Sequence, residues 1–203
     1  MAKLYFSYAA MNAGKSTMLL QASHNYRERG MQTLLFTAAF DDRAGRGVIA
    51  SRIGVASEAL LFSPDDDLFA VIEREIAKDN LACIFFDEAQ FLTPEQVWQL
   101  ARVADRLNVP VMCYGLRTDF QGKLFPGSAE LLAIADNLRE IRTICSCGAK
   151  ATMVIRLGAD GKPLLEGEQV DIGGNEKYVS LCRRHWEEQV GRWARNRSMK
   201  GSA

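Results

Sequence analysis

The sequence has little of what marks a membrane protein or a disulfide scaffold. Its apolar runs are a few residues long, against the ~20 needed for a helix to cross a bilayer, so no membrane span is expected. Five cysteines are too few to staple a chain of 203 residues. An excess of charge is missing too: 25 Lys and Arg stand against 25 Asp and Glu, which leaves no electrostatic footprint for nucleic acid or an anionic membrane. Internal repeats are absent. The start, MAKLYFSYAAMNAGKST, runs into a glycine-lysine loop instead of a signal cleavage site, so a cytoplasmic protein is expected. What remains, with 48% hydrophobic and 25% charged residues, is the mix of a soluble globular domain with a small appendage.

Strand-like and helix-like patterns alternate through the first two thirds of the chain. Residues 3–8 (KLYFSY) read as a strand running into a turn at Gly14, and a helical pattern follows over 16–29, with Gly30 placed to stop it. Residues 33–38 (TLLFTA) are strand-like, and 41–47 (DDRAGRG) read as a loop. Ser63, Pro64 and the acids Asp65, Asp66 and Asp67 predict a helix that starts at Ser63 and reaches about Lys78. The apolar run 82–86, ending in Asp87, suits a strand buried on both faces of a parallel sheet. Thr93 and Gln96 stand at capping-box spacing and open a helix that ends near Asn108, and VPVMCY (109–114) supplies another strand.

This alternation predicts an α/β fold with an open, mostly parallel sheet up to about residue 143. A different texture, turn-rich and glycine-rich, fills 144–190, and 191–203 read as a disordered tail. A unit of about fifty residues is near the lower limit for an independent core, so a metal staple would be useful there. Cys83 and Cys113, each in a strand-like run, are expected in the core, His24 at the surface, and Trp98, Trp186 and Trp193 in helix packing.

Gly14-Lys15-Ser16-Thr17 lies between a strand and a helix, where backbone N–H groups and the helix dipole can hold phosphate. Lys15 would reach the β and γ phosphates, and the Ser16 hydroxyl would ligate magnesium. The full pattern asks for glycine five positions before Gly14, where the chain has Ala9, and a simple turn before a helix is the plainer alternative. Against that alternative stand the strand-to-helix context and Asp87, a carboxylate suited to a second magnesium contact. Glu88 follows directly. Side chains diverge at a strand end, so one carboxylate can hold metal through water while the other takes a proton; a solvated or turn-capping Glu88 is the bland reading.

Cys145 and Cys147 bracket Ser146, and two residues separate Cys182 from His185. Two short ligand pairs of this kind make a tetrahedral zinc site of three thiolates and one imidazole, closed to water and therefore structural. Reduced cysteines without metal are the competing reading.

Taken together, AMNAGKST, IFFDEAQF, YGLRTDFQGKLF, the C-x-C and C-x-x-H pairs and VDIGGNEKYVSLC resemble the thymidine kinases of the type shared by bacteria and the animal cytosol. The resemblance spans about residues 3–188 and is nearest to the short form of enteric bacteria. Alanine or serine for the first loop glycine is familiar in that family, whereas its C-x-x-C pair is C-x-C here. The resemblance implies a P-loop NTPase (RecA-like) sheet, residues 1–143, with a zinc-binding domain at 144–190. It implies transfer of the γ-phosphoryl group of ATP to the 5′-hydroxyl of thymidine, and also of deoxyuridine, in nucleotide salvage for DNA synthesis.

By position it makes Glu88 the general base and Ala9, Ala10, Met11, Asn12, Ala13, Gly14, Lys15, Ser16, Asp87, Glu88, Ala89 and Gln90 the contacts to ATP, with magnesium at Ser16 and Asp87. Asp41 and Arg43 match a loop pair near the phosphates. Phe120 and Tyr178 match residues enclosing the base and sugar, and Met11 one near the thymine methyl. Val170, Asp171, Ile172, Gly173 and Gly174 match a lasso loop that reads the base with main-chain groups, anchored at both ends by zinc on Cys145, Cys147, Cys182 and His185. A homotetramer inhibited by thymidine triphosphate is implied as well. A zinc-containing P-loop ATPase acting on nucleic acid would share several motifs, but the even charge and the lack of a basic-aromatic stripe argue against it. A non-enzymatic nucleotide sensor stabilised by zinc is a third reading.

Overall fold

A computed structural model describes residues 1–41, 43–169 and 177–191. The chain forms two compact units: Met1–Ala9, Gly14–Arg117 and Leu124–Ile141 make the first, and Ala10–Ala13, Thr118–Lys123 and the chain from Arg142 onward the second. The second unit therefore draws on two segments far upstream of residue 143. Among the described residues no helix is long and apolar enough to cross a membrane.

The first unit runs β1 (Leu4–Ala9), α1 (Lys15–Arg27), β2 (Gln32–Ala38), β3 (Val48–Ala50), β4 (Ala56–Glu58), β5 (Leu60–Phe62), α2 (Leu68–Lys78), β6 (Leu81–Phe86), α3 (Pro94–Arg102), β7 (Val111–Leu116), α4 (Pro126–Ile134) and β8 (Asn137–Glu140). Six strands pair in the order β5-β2-β6-β7-β1-β8, every pairing parallel. The apolar run of β6 is central and buried, as its unbroken hydrophobicity requires. Phe86 stacks on Phe36 of β2 with centroids 4.5 Å apart, and Phe6, Ile72, Ile84, Leu100 and Val111 complete the core around it. Cys83 and Cys113 are buried thiols of this core.

Two expectations need correction. The helix α2 is capped by Asp67, whose side chain accepts from the Ala70 N–H, so it starts at Leu68 and not at Ser63. Ser63 instead donates its N–H and hydroxyl to Asp66, and this local turn competes with the helix. Trp98 lies largely in solvent, 53% exposed, with its indole N–H on Glu130, and so contributes little packing. The short strands β3, β4 and β5 carry no sequence signal, since three residues are too few to show a period.

The capping box of α3 is present in both directions, Gln96 N–H to the Thr93 hydroxyl and Thr93 N–H to the Gln96 side chain. The buried Gln96 amide also donates to the carbonyls of Ser63 and Asp66. Gln96→Ala should strand these groups and cost about 2–3 kcal/mol of stability, read from urea unfolding at unchanged slope. A loss below about 0.5 kcal/mol would mean that water replaces the amide.

The second unit contains β9 (Thr143–Ile144), β10 (Lys150–Ala151), β11 (Met153–Arg156), β12 (Tyr178–Leu181) and α5 (Arg183–Val190). β9 pairs with β10 and β11 with β12, both antiparallel. Its buried cluster consists of Cys145, Ala151, Ile155, Leu181, Cys182, Trp186 and Val190, little apolar area to hold a unit by itself.

Candidate functional site

β1 delivers Ala9 to its end, and α1 opens at Lys15 behind Gly14, which adopts the left-handed conformation (φ 81°) that a glycine takes without strain. Lys15 is buried at this helix head, where desolvation pulls its ammonium below the usual lysine value although Glu88 and Asp87 oppose the shift. An N-terminal helix turn beside a buried lysine can hold phosphate. Ser16 acts on the Asp87 carboxylate and holds its pKa down, so the two candidate magnesium ligands are neighbours.

Asp87 follows β6 and is 4% exposed. Its pKa is pushed up to about 7, chiefly by desolvation and then by the charge of Glu88, against the lowering influence of Ser16, Lys15 and the Glu88 N–H. The folded protein therefore keeps a proton on Asp87 where the unfolded chain, titrating near ~4, has lost it. Stability without nucleotide should fall as pH rises from about 4 to about 7, and Asp87→Asn should flatten that part of the curve. Parallel curves for the two proteins would contradict this assignment.

Glu88 has a left-handed backbone (φ 54°), unusual for a residue with a side chain and a sign that its surroundings hold it there. Its carboxylate is 14% exposed and accepts from Arg43 on Oε1 at 2.6 Å and from Gln90 on Oε2. Arg43 also pairs with Asp41, and that hydrogen bond leads in raising the guanidinium's already high pKa. Gln90 is itself buried, with its Oε1 accepting from the Leu116 N–H of β7, so the sheet fixes the amide that fixes Glu88. Ala89 is buried in the same turn. Spacing alone could not distinguish a clamped Glu88 from a solvated one; the structure shows the clamped arrangement.

In the second unit Met11 and Asn12 are tied to β12: the Ser180 hydroxyl donates to the Met11 carbonyl, and Asn12 Nδ2 lies 3.4 Å from the Tyr178 carbonyl. Met11, Asn12, Tyr178 and Phe120 thus belong to one body, although up to 167 positions separate them in sequence, as 178 against 11 shows. Ala10 and Ala13 belong to the same short segment. Val170, Asp171, Ile172, Gly173 and Gly174 lie outside the described residues, as does the 192–203 part of the tail.

Cys145, Cys147, Cys182 and His185 converge with all ligand atoms within 4.8 Å of one another. Cys145 Sγ lies 3.2 Å from His185 Nδ1, and Cys147 Sγ lies 3.9 Å from Cys182 Sγ. Tetrahedral bonds of ~2.3 Å to sulfur and ~2.0 Å to nitrogen put neighbouring ligand atoms about 3.5–3.8 Å apart, so the cluster can hold a metal ion. Backbone N–H groups of Cys147 and Cys182, with His185, pull the Cys145 thiol down to about 5, toward the thiolate a metal needs. The tight C-x-C pair is accommodated by a turn in which Cys145 and Ala149, and Gly148 and Cys145, close backbone hydrogen bonds.

Two buried charged residues of this unit were not singled out by sequence reasoning. Asp119 accepts from the N–H groups of Gln121 and Lys123 and from the Gln169 side chain. Arg156 is 4% exposed at the end of β11. The available signal for Arg156 was a cation closing the otherwise apolar run ATMVIRL.

Comparison with known proteins bears on this arrangement as a whole. The family model for thymidine kinase matches residues 2–186. A thymidine kinase of Ruegeria pomeroyi is 70% identical over 191 residues, 94% of this chain and 96% of the relative. One of Rhizobium etli is 66% identical over 195 residues, covering 95% and 98% of the two chains. One of Salmonella paratyphi A is 58% identical over 190 residues, covering 94% and 93%.

Proposed function

The chain belongs to the thymidine kinase family and phosphorylates thymidine; we propose that Glu88 is the base for transfer of the γ-phosphoryl group of ATP to the 5′-hydroxyl. The observation that carries this reading is the setting of Glu88, gripped through one oxygen by Arg43 and through the other by Gln90. Each carboxylate oxygen has a second lone pair, so the clamp orients the group and still leaves room for a proton.

In the step, O5′ bonds to the γ-phosphorus while its proton passes to Glu88. The bond from γ-phosphorus to the bridging oxygen breaks, and ADP leaves with that electron pair. Lys15, at the head of α1, supplies positive charge to the phosphates. Protonation of Glu88 removes the charge that Arg43 pairs with and frees the guanidinium for the phosphoryl oxygens, while Asp41 keeps it in reach. Ser16 and Asp87 would hold magnesium, which neutralises charge on the β and γ phosphates when bound. The remaining loop positions, Ala9 to Ala13 with Ala89, would line the phosphates.

For the nucleoside, the reading uses Phe120 and Tyr178 around base and sugar, Met11 at the thymine methyl and the main chain of 170–174 over the base. The tie of Met11 to the strand that bears Tyr178 supports it. Zinc is the metal proposed for the four-ligand cluster, since three thiolates with one imidazole suit it and leave no position open for catalysis. A cytoplasmic homotetramer with feedback inhibition by thymidine triphosphate completes the proposal, and deoxyuridine is the expected second substrate.

Initial rates with magnesium-ATP and thymidine, deoxyuridine, deoxycytidine or deoxyadenosine test this function. Monophosphate should form from the first two only. Equal rates on all four would remove the nucleoside assignment.

A further inference from the structure

The second unit holds a buried guanidinium that its fold alone does not explain. Arg156 is 4% exposed, and among the described residues no salt bridge pairs it with a carboxylate. Its Nη1 donates to the Glu168 carbonyl at 2.9 Å, whereas its Nε is buried with no hydrogen-bond partner. The guanidinium carbon instead lies 4.1 Å from the centroid of the Phe120 ring. Nearby, Gly167 adopts φ 137°, and a Cβ there would stand 2.6 Å from Arg156 Nη2, so the main chain at 167 lies close against the guanidinium.

Burying a charge without an ionic partner is costly, and leaving one of its donors unsatisfied adds to that cost. A side chain kept for packing alone would be apolar or fully hydrogen-bonded. What the arrangement does provide is a flat cation on one face of an aromatic ring, a contact of definite plane and distance. The same head group holds the main chain at Glu168, and the next residue, Gln169, is moored by its side chain to Asp119, adjacent to Phe120 in sequence.

We propose that Arg156 is a positioning residue for the nucleoside: its guanidinium sets the plane of the Phe120 ring and the path of the chain at 167–168. The inference rests on the proposed contact between Phe120 and the nucleoside.

The test compares Phe120→Leu, Arg156→Met, Arg156→Lys and Gly167→Ala with the parent enzyme. The readouts are KM for thymidine at saturating magnesium-ATP, KM for ATP at saturating thymidine, and the melting temperature. Arg156→Met should raise the thymidine KM about ten-fold while the ATP KM stays within about two-fold. Arg156→Lys keeps the charge but loses the plane, and should recover less than half of that loss. Gly167→Ala retains the arginine but displaces it, and should raise the thymidine KM in the same direction, with a lower melting temperature because alanine is strained at this positive φ. If Arg156→Met is too unstable to assay, Arg156→Lys, which leaves the backbone at 167 unaltered, decides.

An unchanged thymidine KM in the Arg156 and Gly167 variants, together with a raised KM in Phe120→Leu, overturns the inference and leaves the nucleoside reading standing. An unchanged KM in Phe120→Leu removes that reading for Phe120, and the inference with it.

Discussion

Glu88→Gln is expected to lower kcat by roughly 10²–10⁴-fold while the KM for ATP moves little. Glutamine has the length and shape of glutamate, and its carbonyl can still accept from Arg43. Its amide cannot take the 5′-hydroxyl proton. The substitution also places an amide NH2 where Gln90 now donates, so one of the two amides must turn, and Gln90 has limited freedom because β7 holds its oxygen. Some ground-state disorder is therefore built into the variant. Glu88→Asp separates the two effects: it keeps a base and shortens its reach, and should retain more turnover than Glu88→Gln. Near-normal turnover in Glu88→Gln would exclude Glu88 as the base and leave it the role of holding Arg43.

The second large effect is expected at the metal cluster. Cys182 is one of the four candidate ligands and stands at the N-cap position of α5, so a metal held there would tie that helix to the turn carrying Cys145 and Cys147. Among the described residues the apolar cluster of this unit has seven buried members, two of them candidate ligand cysteines, and it would have little to fall back on once the tie is cut. Cys182→Ser should lose bound zinc, lower the melting temperature by about 10 °C or more, and raise the KM for thymidine. The rise in KM follows because β12, which bears Tyr178 and holds Met11 through Ser180, ends at Leu181, directly before Cys182. Cys113→Ala is the control, a buried cysteine of β7 whose loss should leave zinc content unchanged. Unchanged zinc and an unchanged thymidine KM in Cys182→Ser would contradict the account of the cluster.

Much of this protein could be read before its structure. Long apolar strands such as β6 and the capping box at Thr93 and Gln96 are local patterns with a direct physical reading, and the two short pairs Cys145, Cys147 and Cys182, His185 marked the residues that the fold brings together. The parallel sheet followed from strands alternating with helices, although its order of β5-β2-β6-β7-β1-β8 did not, because nothing in a strand's own residues names its neighbour. The start of α2 was misread because Ser63, Asp66 and Asp67 are all competent caps, and which one wins depends on hydrogen bonds that involve Gln96, some thirty positions away. Within the site, Asp87, Glu88, Lys15 and Ser16 were legible as residues, but the clamp on Glu88 was not, since Arg43 and the β7 backbone reach it from distant parts of the sequence. Arg156 escaped notice for a similar reason: its partners Phe120 and Glu168 lie on separate loops.

The central claim is that the γ-phosphoryl group goes to the 5′-hydroxyl of the nucleoside and not to water. The most direct measurement follows label from γ-labelled ATP with saturating thymidine, with and without single-stranded DNA. The account predicts one labelled thymidine 5′-monophosphate for each ADP formed, no labelled inorganic phosphate above the level without enzyme, and no effect of DNA. Label released as inorganic phosphate and increased by DNA, with no labelled nucleotide, would contradict it and turn the same motifs to ATP hydrolysis on nucleic acid.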